Sequence, residues 1–136
     1  MHQPSILHRA WAEIDLSALE NNVRCIQEIL PEHTDFMAVV KADAYGHGAV
    51  QVSHLLQDCG ADYLAVSCLD EALELRRGGI SKGILVMNSA LPFQLEAAVE
   101  AGLSLACGRP GFVTELQAAA RAVGKAAHIH IKVDTG

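Results

Sequence analysis

The sequence predicts an α/β chain built on a parallel sheet. Three observations carry this. Short β-branched apolar runs alternate with segments of helical spacing. Glycines recur about every 20 residues at Gly60, Gly79, Gly102 and Gly124, each just ahead of a strand-like run, where a helix C-terminus belongs. The apolar runs lack the in-out alternation of half-solvated strands, as expected when helices cover a parallel sheet.

The elements follow in order. Ser17 with Glu20 three residues on reads as a capping box for a helix over 18–30, and Pro31 ends it. Strands are expected at Phe36–Val40, Tyr63–Val66, Ile84–Met87, Leu103–Cys107 and Ile129–Val133. Helical stripes lie between them. Val50, Leu55 and Leu56 form one; Leu69, Ala72, Leu73 and Leu75 form a second; Val113, Leu116, Ala119, Ala120 and Val123 form a third. Pro92 and Pro110 mark first turns of helices. Arg76 and Arg77 read as a solvated helix end whose charge complements the helix dipole. Trp11–Leu16 stands apart as a strand-like segment ahead of the first helix, suited to a different sheet. A closed (β/α)₈ barrel needs eight units and roughly 250 residues. This chain has 136 residues and five strand-like runs, the last without a following helix. The pattern alone fits either an incomplete barrel or a small open sheet.

Composition narrows the functional classes. The chain is 51% hydrophobic but only 4% aromatic, so its core is aliphatic. A net charge of −6 and the lack of a basic patch argue against a nucleic-acid partner. No apolar run approaches the roughly 20 residues of a membrane span, and Met1–Arg9 lacks the apolar stretch of a secretory signal. Cys25, Cys59, Cys68 and Cys107 form no CxxC pair, so they read as small buried hydrophobes in a reducing cytoplasm. His128, His130, Lys132 and Asp134 alternate and so share one strand face. The cationic neighbour and the lack of a third ligand argue against a metal, and a polar packed interior is the plainer role.

Lys41 is the residue with chemistry to explain. It ends the run Met37–Val40, at the strand edge where active sites of parallel α/β folds lie. An amine beside apolar residues loses hydration, which favours its neutral, nucleophilic form. By position alone, a solvent-directed lysine remains the plainer reading. The small-residue loop Ala42-Asp43-Ala44-Tyr45-Gly46-His47-Gly48 then runs into a helix. Its glycines permit close approach of a ligand, the helix N-terminus favours an anion such as phosphate, and Tyr45 offers a hydroxyl. His47 reads as structural rather than basic.

The stretch Ala38–Gly48 (AVVKADAYGHG) resembles the pyridoxal phosphate attachment signature of alanine racemases. Trp11–Leu16 with Leu19–Asn22 resembles the family's opening, and Gly60–Val66, Glu71–Arg76 and Lys132–Gly136 match later blocks in order. The resemblance runs from about Arg9 to the last residue. It implies the N-terminal part of a pyridoxal-phosphate (β/α)₈ barrel over residues 17–136. It also implies that the strand within residues 1–16 belongs with a C-terminal β domain beyond this chain.

In that family role, Lys41 forms the Schiff base with pyridoxal 5′-phosphate and acts as one of two catalytic bases. Tyr45 hydrogen-bonds the cofactor phosphate. Lys132 corresponds to a lysine that is carbamylated in several members and orients a substrate-binding arginine, itself expected beyond Gly136. The second base is a tyrosine from the partner subunit of a homodimer. The implied activity is interconversion of L- and D-alanine in the cytoplasm, supplying D-alanine for cell-wall peptidoglycan. Asp43 stands where asparagine is common in the family. The alternatives are a related racemase for serine or another small amino acid, and a non-catalytic pyridoxal phosphate-binding barrel. Five strands without the second base imply that the chain by itself is inactive.

Overall fold

The computed structural model describes residues 10–136. Helix α1 (Leu16–Ile29) leads into strand β1 (Met37–Val39). A short helical turn α2 (Lys41–Gly46) and helix α3 (Ala49–Asp58) follow. Next come β2 (Tyr63–Val66), α4 (Leu69–Arg77) and β3 (Gly83–Val86). A 3₁₀ turn at Pro92–Gln94 opens α5 (Leu95–Glu100), followed by β4 (Ser104–Cys107), α6 (Phe112–Val123) and β5 (His128–Ile131).

The five strands form one sheet in the order β1-β2-β3-β4-β5, with every neighbouring pair parallel. This order decides what the sequence pattern left open. A doubly wound open sheet reverses its order at a switch point. Here each new strand joins the same edge, which is how a barrel is wound. All five expected strands are present, each within one or two residues of its expected bounds.

The core lies between sheet and helices. Ala38, Val40, Leu64, Val66, Ile84, Val86, Leu105 and Cys107 alternate along β1–β4 and its continuations, and all are buried. Leu56, Leu75, Leu95, Val99, Phe112 and Leu116 meet them from the helices. Gly60, Gly79, Gly102 and Gly124 all have positive φ at helix ends, as their spacing implied. Gly83 is fixed by a different constraint: a β-carbon there would sit 2.4 Å from the ring of Tyr63 on the adjacent strand.

Several local expectations change. The N-cap of α1 is Asp15, whose carboxylate accepts from the Ser17 and Ala18 amides at 2.9 and 3.0 Å. Ser17 lies inside the helix, and Glu20 pairs with Arg24 instead of closing a capping box. Residues 11–15 form no strand, and Trp11 is exposed. A strand needs a neighbour for its amides and carbonyls, and none lies beside this segment among the described residues. The part of the expected 1–16 segment before Ala10 lies outside the described residues. Pro110 precedes the N-cap Gly111 rather than occupying the first turn of α6.

Arg76 is no solvated helix end. Its guanidinium donates to the carbonyls of Ala101, Ile80 and Lys82 at 2.8–3.0 Å, clamping the α4–β3 connection to the end of α5. Burial pushes its pKa down. Arg77 does remain exposed. Of the cysteines, only Cys107 is buried; Cys25 and Cys68 are exposed, and all four are free thiols.

Candidate active site

Lys41 follows Val40 at the C-terminal end of β1. Val40 is 2% exposed and points into the helix layer. Alternation puts Val39 on the opposite, concave side of the sheet, and Lys41, past a Val40 that is no longer extended (ψ 23°), is half-buried at the strand end. Among the described residues no carboxylate lies within ion-pair distance of its amine.

The segment after Lys41 is not a glycine-led loop. Ala42, Asp43, Ala44 and Tyr45 all take left-handed helical backbone, with φ between 51 and 55° and ψ between 37 and 52°. Non-glycine residues pay roughly 1–2 kcal/mol each for this conformation. Polar ties on every side hold it. The Ala44 amide donates to Val40 O at 3.0 Å, and the Gly48 amide to Asp43 O at 3.0 Å. The Asp43 carboxylate accepts from the Ala49 amide at 2.7 Å. His47 Nδ1 lies 2.9 Å from Ala44 O and 3.2 Å from Tyr45 O, so it acts as a proton donor to the turn. Ala44 is buried against the core. The structural reading of His47 thus has a specific content.

The Ala42 amide is tied from another element. It donates to Glu71 Oε1 at 2.8 Å. Glu71 Oε2 accepts from both the amide and the hydroxyl of Ser67 at 2.7 Å. Burial pushes the Glu71 carboxyl pKa up. Hydrogen bonds from the Ser67 hydroxyl and the Ala42, Ser67 and Cys68 amides outweigh it and hold the carboxyl below its ordinary value. Sequence reasoning missed this residue. One signal was present: Glu71 is the third residue of α4, after the N-cap Cys68, half of a capping box. The reach to Ala42 was not legible.

At the α3 N-terminus, Asp43 takes the Ala49 amide, the first of the helix's free donors. Tyr45 is 61% exposed, so its hydroxyl is free to meet a ligand. Lys132 follows β5, and its amide donates to Cys107 O at 2.8 Å, extending the ladder. The register runs Val39–Ala65–Leu85–Ser104–His128 across the sheet. His128, His130 and Lys132 therefore share the face of Val39. Lys41 and Lys132 follow the sheet's two outermost strands. His128 and His130 are exposed rather than packed. Ile131 and Val133, on the other face, are 76% and 74% exposed because no described helix covers them. Among the described residues no group of three His, Cys, Asp or Glu side chains is placed to hold a metal ion, and no helix is long and apolar enough to cross a membrane.

Fold and site together define a barrel-wound β/α chain that presents a lysine at the C-terminal end of its first strand. The profile of the family "Alanine racemase, N-terminal domain" matches residues 14–136. An alanine racemase of Methanococcus maripaludis is 45% identical over 131 residues, 96% of this chain and 35% of the relative. The structure of an alanine racemase of Clostridium difficile, in complex with cycloserine, superposes with a TM-score of 0.92 at 34% identity. It covers 97% of this chain and 35% of that one. A histidine racemase of Leuconostoc mesenteroides gives a TM-score of 0.80 at 30% identity, over 89% of this chain and 32% of that one. The chain belongs to the alanine racemase family, and its five-stranded sheet corresponds to the N-terminal part of that family's barrel. It spans about a third of the length of the curated relatives it matches.

Proposed function

We propose that this chain supplies the lysine-bearing part of a pyridoxal-phosphate-dependent racemase that interconverts L- and D-alanine. The observation that carries the reading is Lys41. In a chain of this family, it stands at the β1 end, half-buried, on a backbone fixed by the left-handed turn. The residues present fit the cofactor. An amine without a described carboxylate partner suits covalent attachment to an aldehyde, and the exposed Tyr45 hydroxyl suits one bond to its phosphate.

When bound, pyridoxal phosphate supplies an electron sink that acidifies the substrate Cα–H. Lys41 Nζ then takes or returns a proton on one face of Cα. Racemisation needs a second proton carrier on the other face, which we assign to a tyrosine of a partner subunit in a homodimer. Tyr45 anchors rather than transfers protons. Lys132 supports the concave face; as a carbamate it would be an anion able to hold an arginine in a charge-assisted pair. The segment Trp11–Leu16 belongs with a C-terminal β domain in the complete protein. The enzyme works in the cytoplasm and supplies D-alanine for peptidoglycan.

Borohydride trapping of the complete enzyme tests the assignment. Wild type should yield an adduct that maps to Lys41, and Lys41→Ala should yield none and lose turnover. An adduct at another lysine overturns it. The likeness to a histidine racemase favours one second reading, a racemase of the same mechanism with another substrate. Rates with alanine, serine and histidine separate the two.

A further inference from the structure

We propose that Glu71 is a positioning residue for Lys41, fixing the direction in which the amine leaves the end of β1. This rests on the reading of Lys41 as the attachment residue.

The argument starts from backbone satisfaction. Within the left-handed turn, the internal bonds begin with the Ala44 amide on Val40 O. The Ala42 amide, one residue beyond Lys41, has no partner inside the turn. Glu71 Oε1 takes it at 2.8 Å. The other oxygen takes two donors from Ser67, one residue past the end of β2. One carboxylate therefore staples the ends of two adjacent strands, with Lys41 at one leg of the staple. The base of the staple is rigid, because Leu69, Ala72 and Leu75 seat α4 in the core. Every group facing the carboxylate is a donor, so only a full acceptor satisfies them. A helix cap would need the Ser67 bonds only. The reach to Ala42 spans 29 residues and lands beside the reactive side chain. Displacing a reacting group by about 1 Å costs on the order of 10²-fold in rate. The length of the lysine side chain amplifies any tilt at its Cα.

The test uses the complete enzyme and pyridoxal phosphate itself. Glu71→Gln puts an amide donor against donors. Glu71→Asp keeps the charge, is short enough to cap α4 through Ser67, and no longer reaches Ala42. Glu74→Gln, on the exposed side of α4, is the control. The rate of borohydride-trappable attachment to Lys41 at saturating cofactor is measured, together with kcat and KM for alanine. In both Glu71 variants attachment and kcat should fall tenfold or more, with KM within twofold of wild type and the adduct still at Lys41. Glu74→Gln should match wild type. If Glu71→Gln fails to fold, Glu71→Asp decides the matter. Wild-type attachment and kcat in Glu71→Asp reduce Glu71 to a helix cap and overturn the inference alone. A wild-type enzyme that forms no adduct at Lys41 sinks the attachment reading, and this inference falls with it.

Discussion

The two outermost strands of the sheet end in opposite ways. At β1, α1 and α3 cover the outer face, Val40 is 2% exposed, and the turn beyond Lys41 is tied by Glu71, Asp43 and His47. At β5, Ile131 and Val133 are 76% and 74% exposed, and Lys132 is held only through its backbone. The same β-branched residue types occupy both places. What differs is what packs on them. A strand's helix-facing residues are buried by the helices on either side of it in sequence, and only β1 has both here. The Lys41 end is thus preorganised by this chain's own residues, while the Lys132 end is open among the described residues.

The largest effect that could break this contrast is activity itself. Residues 1–136 alone should show no racemisation, because the open β5 edge and the lack of a second proton carrier leave the site incomplete. The chain should also associate through its edges, seen as a mass above monomer in solution. A monomer that interconverts alanine enantiomers at enzymatic rates would refute both statements.

A matched pair of truncations sharpens the contrast in stability. In the same chain, Val40→Ala should cost about 2 kcal/mol of unfolding free energy, since it opens a cavity in the core. Val133→Ala should change stability by under about 0.5 kcal/mol, as an exposed substitution does. Urea midpoints with unchanged slopes measure both. Equal losses would mean that the β5 end is already packed.

Tyr45→Phe, in the complete enzyme, probes whether the β1 end holds cofactor by itself. Loss of one hydrogen bond to a charged group is worth about 1.5–3 kcal/mol. Cofactor affinity should fall roughly tenfold or more, while turnover survives at saturating cofactor. Lost turnover at unchanged affinity would instead make Tyr45 a proton carrier.

The smallest effect is a pH dependence. The folded-state pKa of Glu71 is depressed, so its contribution is complete above the ordinary carboxylate value of 4.5. It is lost as pH falls through the lowered folded value, where the folded carboxylate takes up its proton. Wild type should therefore lose stability more steeply than Glu71→Gln below pH 4.5. Parallel acid-unfolding curves would show that the carboxylate staple adds nothing to stability.

The sequence by itself determined the elements and their order. Periodicity placed five strands within a residue or two, because apolar alternation and helix-ending glycines act through near neighbours. The strand-edge position singled out Lys41, and the family resemblance added roles for Tyr45 and Lys132. Tertiary structure alone decided the rest. The strand order settled barrel winding over an open sheet, since pairing joins segments that local pattern cannot rank. The burial of Arg76 depended on carbonyls from α5 and the β3 approach, up to 25 residues away. Trp11–Leu16 has the composition of a strand and forms none, because pairing needs a neighbour. The left-handed turn went furthest beyond the sequence. Propensity argues against four such residues in a row, and no local signal marks them. They persist because the Glu71 carboxylate, the buried Ala44 and the Asp43 bond to α3 hold the backbone from several directions at once.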